Sequence, residues 1–288
     1  MTWSAWADIY VIHNTEESTI RSLTYRLSNM LSVKEPVVPV RLPTFLANTD
    51  YFKDDDIFIT VDLESFHRIC ELPLPNAMFA AFIGKEEYEF VKDQCTKDTS
   101  AVFSGAPLER RLALLKRIWL DNKPISVMYS DSLKVDEEAM SRLGAEYGFK
   151  FQFQQTQTDK VSVLRTVNHL GENSKVIFSF VDSNLYREDV AKDVIKLLFN
   201  IHHVMIGPSY PFVRAGALFA VYSRTDEKLK RLVRMLTAWQ TEKNMLPANY
   251  PSELRVSFNP YLIKAYGMVL PTPASIKLNF DLCSESYC

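Results

Sequence analysis

The 288-residue sequence predicts an α/β protein built from two copies of one parallel-sheet architecture. The clearest observation is a regular alternation of apolar strands and amphipathic helices over residues 124–207. The first hundred residues repeat this plan less regularly, and a Ser-Gly-Ala-Pro junction at 104–107 separates the two regions. Successive strand–helix units of this length form a parallel sheet with helices on both faces, because the crossover connections are right-handed.

In the second region, each β-rich or alternating segment is followed by a helical apolar stripe. Its predicted strands are residues 125–129, 149–154, 176–181 and 204–206. The helices between them carry apolar residues every three or four positions. Gly148 is predicted to end one of these helices in the left-handed conformation, and Gly171 is predicted to end the next helix. This order of elements predicts consecutive parallel strands.

In the first region, the predicted strands are 9–12, 37–42, 57–61, 77–83 and 101–103. The second of these is assigned to a sheet edge or to a short strand, because Pro39 has no amide hydrogen for a ladder. A later helix carries an apolar stripe over residues 229–239. That stripe needs a partner domain to cover it.

The composition excludes several classes of partner. With 47% hydrophobic and 24% charged residues, a net charge of −2 and a pI of about 6.2, the chain matches an ordinary soluble globular protein. Lysines and arginines are spread along the chain, so no nucleic-acid partner is expected. No apolar run is long enough to span a bilayer. We expect a monomer.

The sequence contains no recognisable catalytic or cofactor motif. P-loop, GxGxxG, GxSxG and HExxH patterns are all missing. His202 and His203 are adjacent, so in an extended segment they face opposite ways and do not share a metal. The acidic run at 54–56 lacks the glycine and distal glutamate of a calcium loop, which favours a solvated turn. We expect no cofactor, no metal and no catalytic residue.

The four cysteines leave the redox compartment open. Cys70, Cys95, Cys283 and Cys288 form no CxxC pair and have no histidine cluster beside them, which argues against a zinc site. Cys283 and Cys288 are spaced to close a small terminal loop in an oxidising compartment. Free thiols are at least as good an interpretation.

The first seven residues resemble the end of a signal peptide. Ala5 and Ala7 have the −3 and −1 spacing of a signal-peptidase site, and the first predicted strand follows at once. The basic region and longer apolar stretch of a secretory peptide are missing. We interpret residues 1–7 as the remnant of a signal peptide, in a chain whose true start lies upstream. A chance spacing of two alanines is the alternative.

Five segments in order and spacing carry a family resemblance. They are DIFITVDLESF, SGAPLERRLALLKRIWLDNKPISVMYSDS, KVIFSFVDSNL, PFVRAGALFAVYS and YLIKAYGMVLP. These segments resemble the periplasmic solute-binding proteins of ABC importers, in the branch that includes tryptophan- and tyrosine-type binders. The resemblance implies a type I periplasmic binding fold, in which two Rossmann-like lobes with parallel sheets are joined by hinge crossings.

The same resemblance implies the domain boundaries and the function. The first lobe is expected to contain residues 8–104 and 223–288, and the second residues 105–222. Hinge motion at 104–107 and 222–225 would close the cleft between the lobes on a small ligand. The expected role is delivery of that ligand to an ABC permease, without chemistry. A sensory module that partners a membrane receptor is the alternative, and an enzyme on a Rossmann-like scaffold ranks below both.

Ligands of open α/β sheets bind outside the carboxyl ends of the strands, and this rule selects candidate residues independently of the family. In the first region the candidates are His13, Asn14, Asp62, Ser65 and Phe82. In the second region they are Ser130, Asp131, Asp182, Ser183, Asn184, Ser209 and Tyr210.

Asp182 is the strongest single candidate, because it coincides with the acidic residue of the family's second-lobe turn. The resemblance implies that its carboxylate pairs with a ligand ammonium group. Capping of the following helix is the alternative role, and both can hold.

The first-lobe turn departs from the family pattern. Where the family has a Gly-Thr-Pro-Ala-like sequence, this chain has Asp62, Leu63, Glu64 and Ser65. Two acids at a helix N-terminus use up its positive potential and would repel a carboxylate. A cationic or neutral ligand is therefore favoured over a free amino acid, and a cleft that has lost binding is the alternative.

Overall fold

The computed structural model describes residues 7–31, 36–187, 190–285 and 287–288. It divides into two units. Unit 1 comprises Met1–Phe103 and Thr225–Ser252, and unit 2 comprises Ser104–Arg224 and Glu253–Cys288. The chain therefore passes from one unit to the other three times. Apart from Ala7, the proposed signal-peptide remnant lies outside the described residues.

Unit 1 contains a five-stranded parallel sheet with the order β2-β1-β3-β4-β5. Its strands are β1 (Ile9–His13), β2 (Val37–Arg41), β3 (Ile57–Thr60), β4 (Met78–Ile83) and β5 (Thr99–Phe103). The strand that contains Pro39 lies at the edge of this sheet, as predicted.

Unit 2 contains a six-stranded sheet with the order β11-β10-β9-β8-β6-β7. Its strands are β6 (Ile125–Tyr129), β7 (Phe151–Gln155), β8 (Val176–Ser179), β9 (Val204–Gly207), β10 (Phe219–Tyr222) and β11 (Arg255–Phe258). All neighbours are parallel except β10 and β11, which are antiparallel. Without β11, the order of this sheet repeats that of unit 1.

Helices alternate with the strands in chain order as far as β11, as the βα alternation predicts, and two further helices follow that strand. They are α1 (Glu17–Met30), α2 (Leu42–Leu46), α3 (Leu63–Cys70), α4 (Lys85–Lys92), α5 (Leu108–Ile118), α6 (Glu137–Glu146), α7 (Lys160–Gly171), α8 (Val190–Asn200), α9 (Tyr210–Ala215), α10 (Thr225–Glu242), α11 (Pro260–Ala265) and α12 (Pro273–Phe280). Gly148, just after α6, has a φ of +82°, which confirms the left-handed stop. None of the helices in the described ranges has the length and apolar run needed to cross a membrane.

Helix α10 packs on the sheet of unit 1, although it follows unit 2 in the chain. Its stripe of Leu229, Leu232 and Leu236 is buried in one cluster with Phe79 and Val102 of that sheet. Burial of each such side chain stabilises the fold by roughly 1.5–3 kcal/mol. The predicted need for a partner to cover this stripe explains why the chain returns to unit 1.

The segment after Ser252 lies in unit 2, whereas the resemblance placed all of residues 223–288 in the first lobe. Strand β11 pairs with β10, and Leu262, Ile263 and Ile276 are buried in the unit 2 core. Side-chain periodicity shows which face of a segment is apolar but not which sheet covers that face. The prediction that residues 253–288 belong to the first lobe therefore differs from the structure, in which they belong to unit 2.

All four cysteines are paired. Cys70 at the end of α3 is bonded to Cys95 after α4, and Cys283 is bonded to Cys288. The second pairing is the one that the spacing suggested, and the first was not anticipated. Of the two alternatives left open, the structure has disulfides rather than free thiols.

Candidate functional site

The sequence-predicted residues of unit 1 follow three neighbouring parallel strands. Asn14 follows β1, Asp62 follows β3, and Phe82 lies near the end of β4. Because β1 pairs with β3 and β3 pairs with β4, these positions share the carboxyl edge of one sheet. The topology therefore brings them together as the strand-end rule requires.

Asp62 ties two loops of unit 1 together. Its Oδ1 accepts a hydrogen bond from the Ser65 backbone N–H (2.8 Å), which caps α3. Its Oδ2 accepts from the Asn14 N–H (2.8 Å) and from the Ser65 hydroxyl (3.0 Å). Both oxygens are thus occupied by donors of the same unit, and buried Ser65 belongs to this cap.

Glu64 and His13 also make local bonds. The Asn14 side-chain amide donates to Glu64 Oε2 (2.8 Å), and the His13 ring Nδ1 lies 3.1 Å from the Thr15 carbonyl oxygen. His13 is buried, and with Arg41 it lines a cavity of about 210 Å³ beside the edge strand β2. The two acids that were expected to repel an anion are each hydrogen-bonded to a neighbour, which weakens that electrostatic argument.

Phe82 is the strained residue of this edge. Its φ of +67° lies in the left-handed region, and the β4–β5 register shifts between Ala81 and Ile83. A bulky side chain in this conformation costs roughly 1–3 kcal/mol, and such outliers cluster at functional sites. The half-exposed ring lies 5.1 Å from the Lys228 ammonium group, and burial lowers the pKa of Lys228 to about 8.

Asp182 has the corresponding position in unit 2. Its Oδ2 accepts from the Ser130 N–H (2.8 Å), and its Oδ1 accepts from the Ser130 hydroxyl (2.9 Å) and the Leu185 N–H (2.9 Å). Only 4% of Asp182 is exposed. Burial raises the pKa of this carboxyl group, and the hydrogen bonds oppose that rise. The sequence alternative was a cap of the following helix, whereas Asp182 caps the turn at 183–186, ahead of α8.

The other unit 2 candidates surround this turn. Ser130 and Ser132 hydroxyls are 2.8 Å apart, and the Asn184 amide donates to the Ser132 hydroxyl (2.6 Å). Asp131 and Ser183 are exposed. Their polar groups lie beside a turn that the hydrogen bonds of Asp182 hold in one conformation.

Ser209 and Tyr210 follow β9 at the same sheet edge. Ser209 is half-buried, and Tyr210 is 38% exposed. The Tyr210 ring lies 5.8 Å from the ring of Tyr222, at the end of β10. This pair gives the unit 2 edge an aromatic surface.

Arg111 was missed by sequence reasoning. Its guanidinium group is buried beneath the carboxyl edge of unit 2, where it donates to the carbonyls of Ser179 (2.6 Å) and Gly207 (3.2 Å). It also lies 3.7 Å from the Phe178 ring centroid. A signal was present, because Arg111 stands within the apolar stripe of α5, and a charge there indicates a buried polar contact.

The twelve candidates fall into two groups. Four are buried and act inside their own unit: His13, Ser65, Ser130 and Asp182. Eight are exposed or half-exposed: Asn14, Asp62, Phe82, Asp131, Ser183, Asn184, Ser209 and Tyr210. The second group is the one with surface open to solvent.

Among the described residues, one group of side chains has the spacing of metal ligands. Glu253, Cys283 and Cys288 have ligand-type atoms within 4.8 Å of one another. The two sulfurs are bonded to each other, so neither is a thiolate ligand.

No protein-family model matches the chain, and no curated protein matches it. Solved structures do. An ABC domain in complex with L-Trp from Streptococcus pneumonia is 14% identical, with a TM-score of 0.67 over 93% of this chain and 96% of that chain. A conserved domain protein from Vibrio cholerae is 13% identical, with a TM-score of 0.69 over 92% and 96%.

A third structure is the ligand-free, open form of a substrate-binding protein with adhesive properties from Clostridium difficile. It is 15% identical, with a TM-score of 0.61 over 92% of this chain and 96% of that chain. At these identities the likeness establishes the fold. The chain has the type I periplasmic binding fold of ABC-transporter substrate-binding proteins, which confirms the fold class that the sequence resemblance implied.

Proposed function

We propose that the chain is an extracytoplasmic solute-binding protein that captures a small ligand and performs no chemistry on it. The observation that carries the proposal is the shared construction of the two sheet edges. In each unit a carboxylate fastens two neighbouring strand-end loops, so the exposed groups beside it are held in place. Pre-organised polar groups around aromatic rings are what a small-molecule site requires.

The ligand class proposed is a small neutral or amino-acid-like solute. Asp62 and Asp182, which favoured a cation in the sequence, already accept hydrogen bonds from their own units. Neither is thus an unsatisfied charge that waits for an ammonium group. Phe82 and Tyr210 offer ring surface for stacking, and the polar residues Asn14 and Ser183 follow other strands of the same two sheets. A purely cationic ligand becomes the less favoured outcome.

We propose an oxidising, extracytoplasmic location because the chain contains two disulfides. Such bonds are rare in cytosolic proteins, where thiols are kept reduced. Delivery to an ABC permease is the proposed role. The departure of residues 62–65 from the family's turn supports the sensory alternative, and neighbouring genes that encode a permease or a sensor would separate the two.

A thermal-shift screen of the purified chain against amino acids, sugars, nucleosides and polyamines tests the proposal. A ligand at one hundred times its dissociation constant adds about 2.7 kcal/mol, which raises the melting temperature by several degrees. The variants Tyr210→Ala and Ser183→Ala should weaken the hit. Tyr261→Ala is the control, because this tyrosine is 84% exposed on α11. That helix begins at the opposite, amino-terminal edge of the sheet, since β11 runs antiparallel to β10. A flat screen, or equal loss in the control, would overturn the proposal.

A further inference from the structure

A cavity of about 420 Å³ opens at the amino-terminal edge of the unit 2 sheet. Its walls come from residues 117–121 between α5 and β6, from Lys175 before β8, and from residues 266–269 after α11. The candidates described above follow the carboxyl ends of the same strands. Four or five strand residues, about 13–16 Å, therefore separate the two places.

Two aromatic rings form one wall of this cavity. The centroids of Trp119 and Tyr266 are 5.7 Å apart with the planes at 45°. Trp119 is packed in the core, and the Tyr266 hydroxyl donates to the His202 carbonyl (2.8 Å), so both rings are held at fixed angles. Aromatic surface that is held in this way binds flat apolar groups at little entropic cost.

The rim is open and apolar. Leu120 is 91% exposed and Val269 is 77% exposed. Gly267 has a φ of +61°, and a Cβ at this position would meet no atom within 4 Å. Gly267 therefore lines the cavity without a side chain, in a backbone conformation that glycine adopts readily.

Among the charged residues that line the cavity, Arg117 is the cation without a carboxylate partner among the described residues. Asp121 and Lys175 pair at 3.0 Å, and the Lys123 backbone N–H, followed by Lys175, holds the pKa of Asp121 below its usual range. Asp121 therefore neutralises Lys175. Arg117 is exposed, and it forms no ion pair within the part of the chain that the structure describes. Its planar guanidinium matches a carboxylate in a two-bond geometry.

We propose that this cavity is a second small-molecule site of the protein, for an aromatic carboxylate. The ring of the ligand lies against Trp119 and Tyr266, the rim of Leu120 and Val269 covers its edge, and its carboxylate pairs with Arg117. The volume falls within the roughly 300–1,000 Å³ of small-molecule sites. The site lies wholly in unit 2 and is independent of the ligand proposed for the strand ends.

Two matched probes test the site on the full chain: naphthalene-2-carboxylate and the neutral 2-naphthylmethanol. Calorimetry gives the affinities, and amide and indole chemical shifts locate the probe. We expect saturable binding of the carboxylate, with shifts at the Trp119 indole and at residues 266–269. Arg117→Gln should weaken binding of the carboxylate probe about tenfold, because loss of one charge-assisted hydrogen bond lowers affinity by about that factor. Binding of the neutral probe should be unchanged.

Two exposed leucines supply the variant and its control. Leu120→Asp places a negative charge on the rim and should weaken the carboxylate probe at least as much as Arg117→Gln. Leu278→Asp alters a residue of unit 2 that is 85% exposed on α12, outside the cavity, and should change nothing. Absence of saturable binding would overturn the proposal. So would shifts at Tyr210 and Asn14 in place of Trp119, or equal effects of the two leucine variants.

Discussion

Asp62 and Asp182 have matching places in the two units and differ in burial. Asp62 follows β3 and Asp182 follows β8, each of which pairs with the first strand of its unit. Each carboxylate accepts a hydrogen bond from the backbone N–H of the residue just after that first strand, Asn14 or Ser130. Each also accepts from a serine hydroxyl and from the N–H three residues further on. Asp62 is half-buried, however, whereas Asp182 is 4% exposed.

The difference lies in what surrounds the carboxylate. Asp62 caps α3 at the surface, while Asp182 shares a buried region with Arg111 and the hydroxyl group of Tyr186. Burial raises the pKa of Tyr186, and the charge of Asp182 adds to that rise while Arg111 opposes it. One backbone arrangement therefore serves as a solvent-screened helix cap in unit 1 and as part of a buried polar network in unit 2. The unit 2 loops should therefore depend more strongly on their charges.

Arg111→Ala should give the largest effect, a loss of about 4 kcal/mol in the free energy of unfolding. It deprives the Ser179 and Gly207 carbonyls of a buried donor and leaves a cavity over Phe178. Denaturant unfolding monitored by circular dichroism measures the loss. Its neighbour Arg110 is half-exposed, donates to the Phe280 carbonyl and pairs with Asp281, so Arg110→Ala should cost only about 1 kcal/mol. Equal losses in the two variants would show that unit 2 has no special buried network.

Asp182→Ala should lower the free energy of unfolding by about 3 kcal/mol. The Ser130 and Leu185 N–H groups would be left buried without an acceptor, at about 1–3 kcal/mol each. The same denaturant experiment applies, with Asp131→Ala as the control, since Asp131 is exposed beside the same turn. A loss below that of the Asp62 variant would reverse the comparison.

Asp62→Ala should cost about 1 kcal/mol, the typical value for removal of a helix cap. Asp62→Asn should stay within a few tenths of a kcal/mol of the wild type, since asparagine caps as well as aspartate. Hydrogen exchange at the Ser65 amide reports the cap directly. Unchanged protection of that amide in Asp62→Ala would contradict the role assigned to this carboxylate.

The smallest effect is a pH dependence that belongs to Asp182. Because burial raises its pKa above the ordinary 3.8, the folded chain binds this proton more tightly than the unfolded chain does. The stability that the group contributes therefore falls as the pH rises from about 4 towards the raised value. Wild-type stability should decline relative to Asp182→Asn across that window in urea titrations at stepped pH. A constant difference, or a relative gain with rising pH, would contradict the assignment.

Much of the candidate site was predictable because it depends on local pattern. Strand ends are visible where apolar runs stop, so the positions of Asn14, Asp62, Asp182 and Tyr210 followed from the strand-end rule. What these side chains bond to was not predictable. The Asn14–Asp62 and Ser130–Asp182 bonds join residues 48 and 52 apart, and only the order of strands in each sheet brings them together.

The sequence by itself determined the alternation of strands and helices, the edge position of the Pro39 strand and the left-handed stop at Gly148. These depend on periodicity, on a missing amide hydrogen and on the freedom of glycine, which act within a few residues. Only the tertiary structure decided that residues 253–288 join unit 2, that Cys70 pairs with Cys95, and that Arg111 is buried under the sheet edge. Each of these depends on which distant surface covers an apolar face or satisfies a polar group, and that is settled by packing.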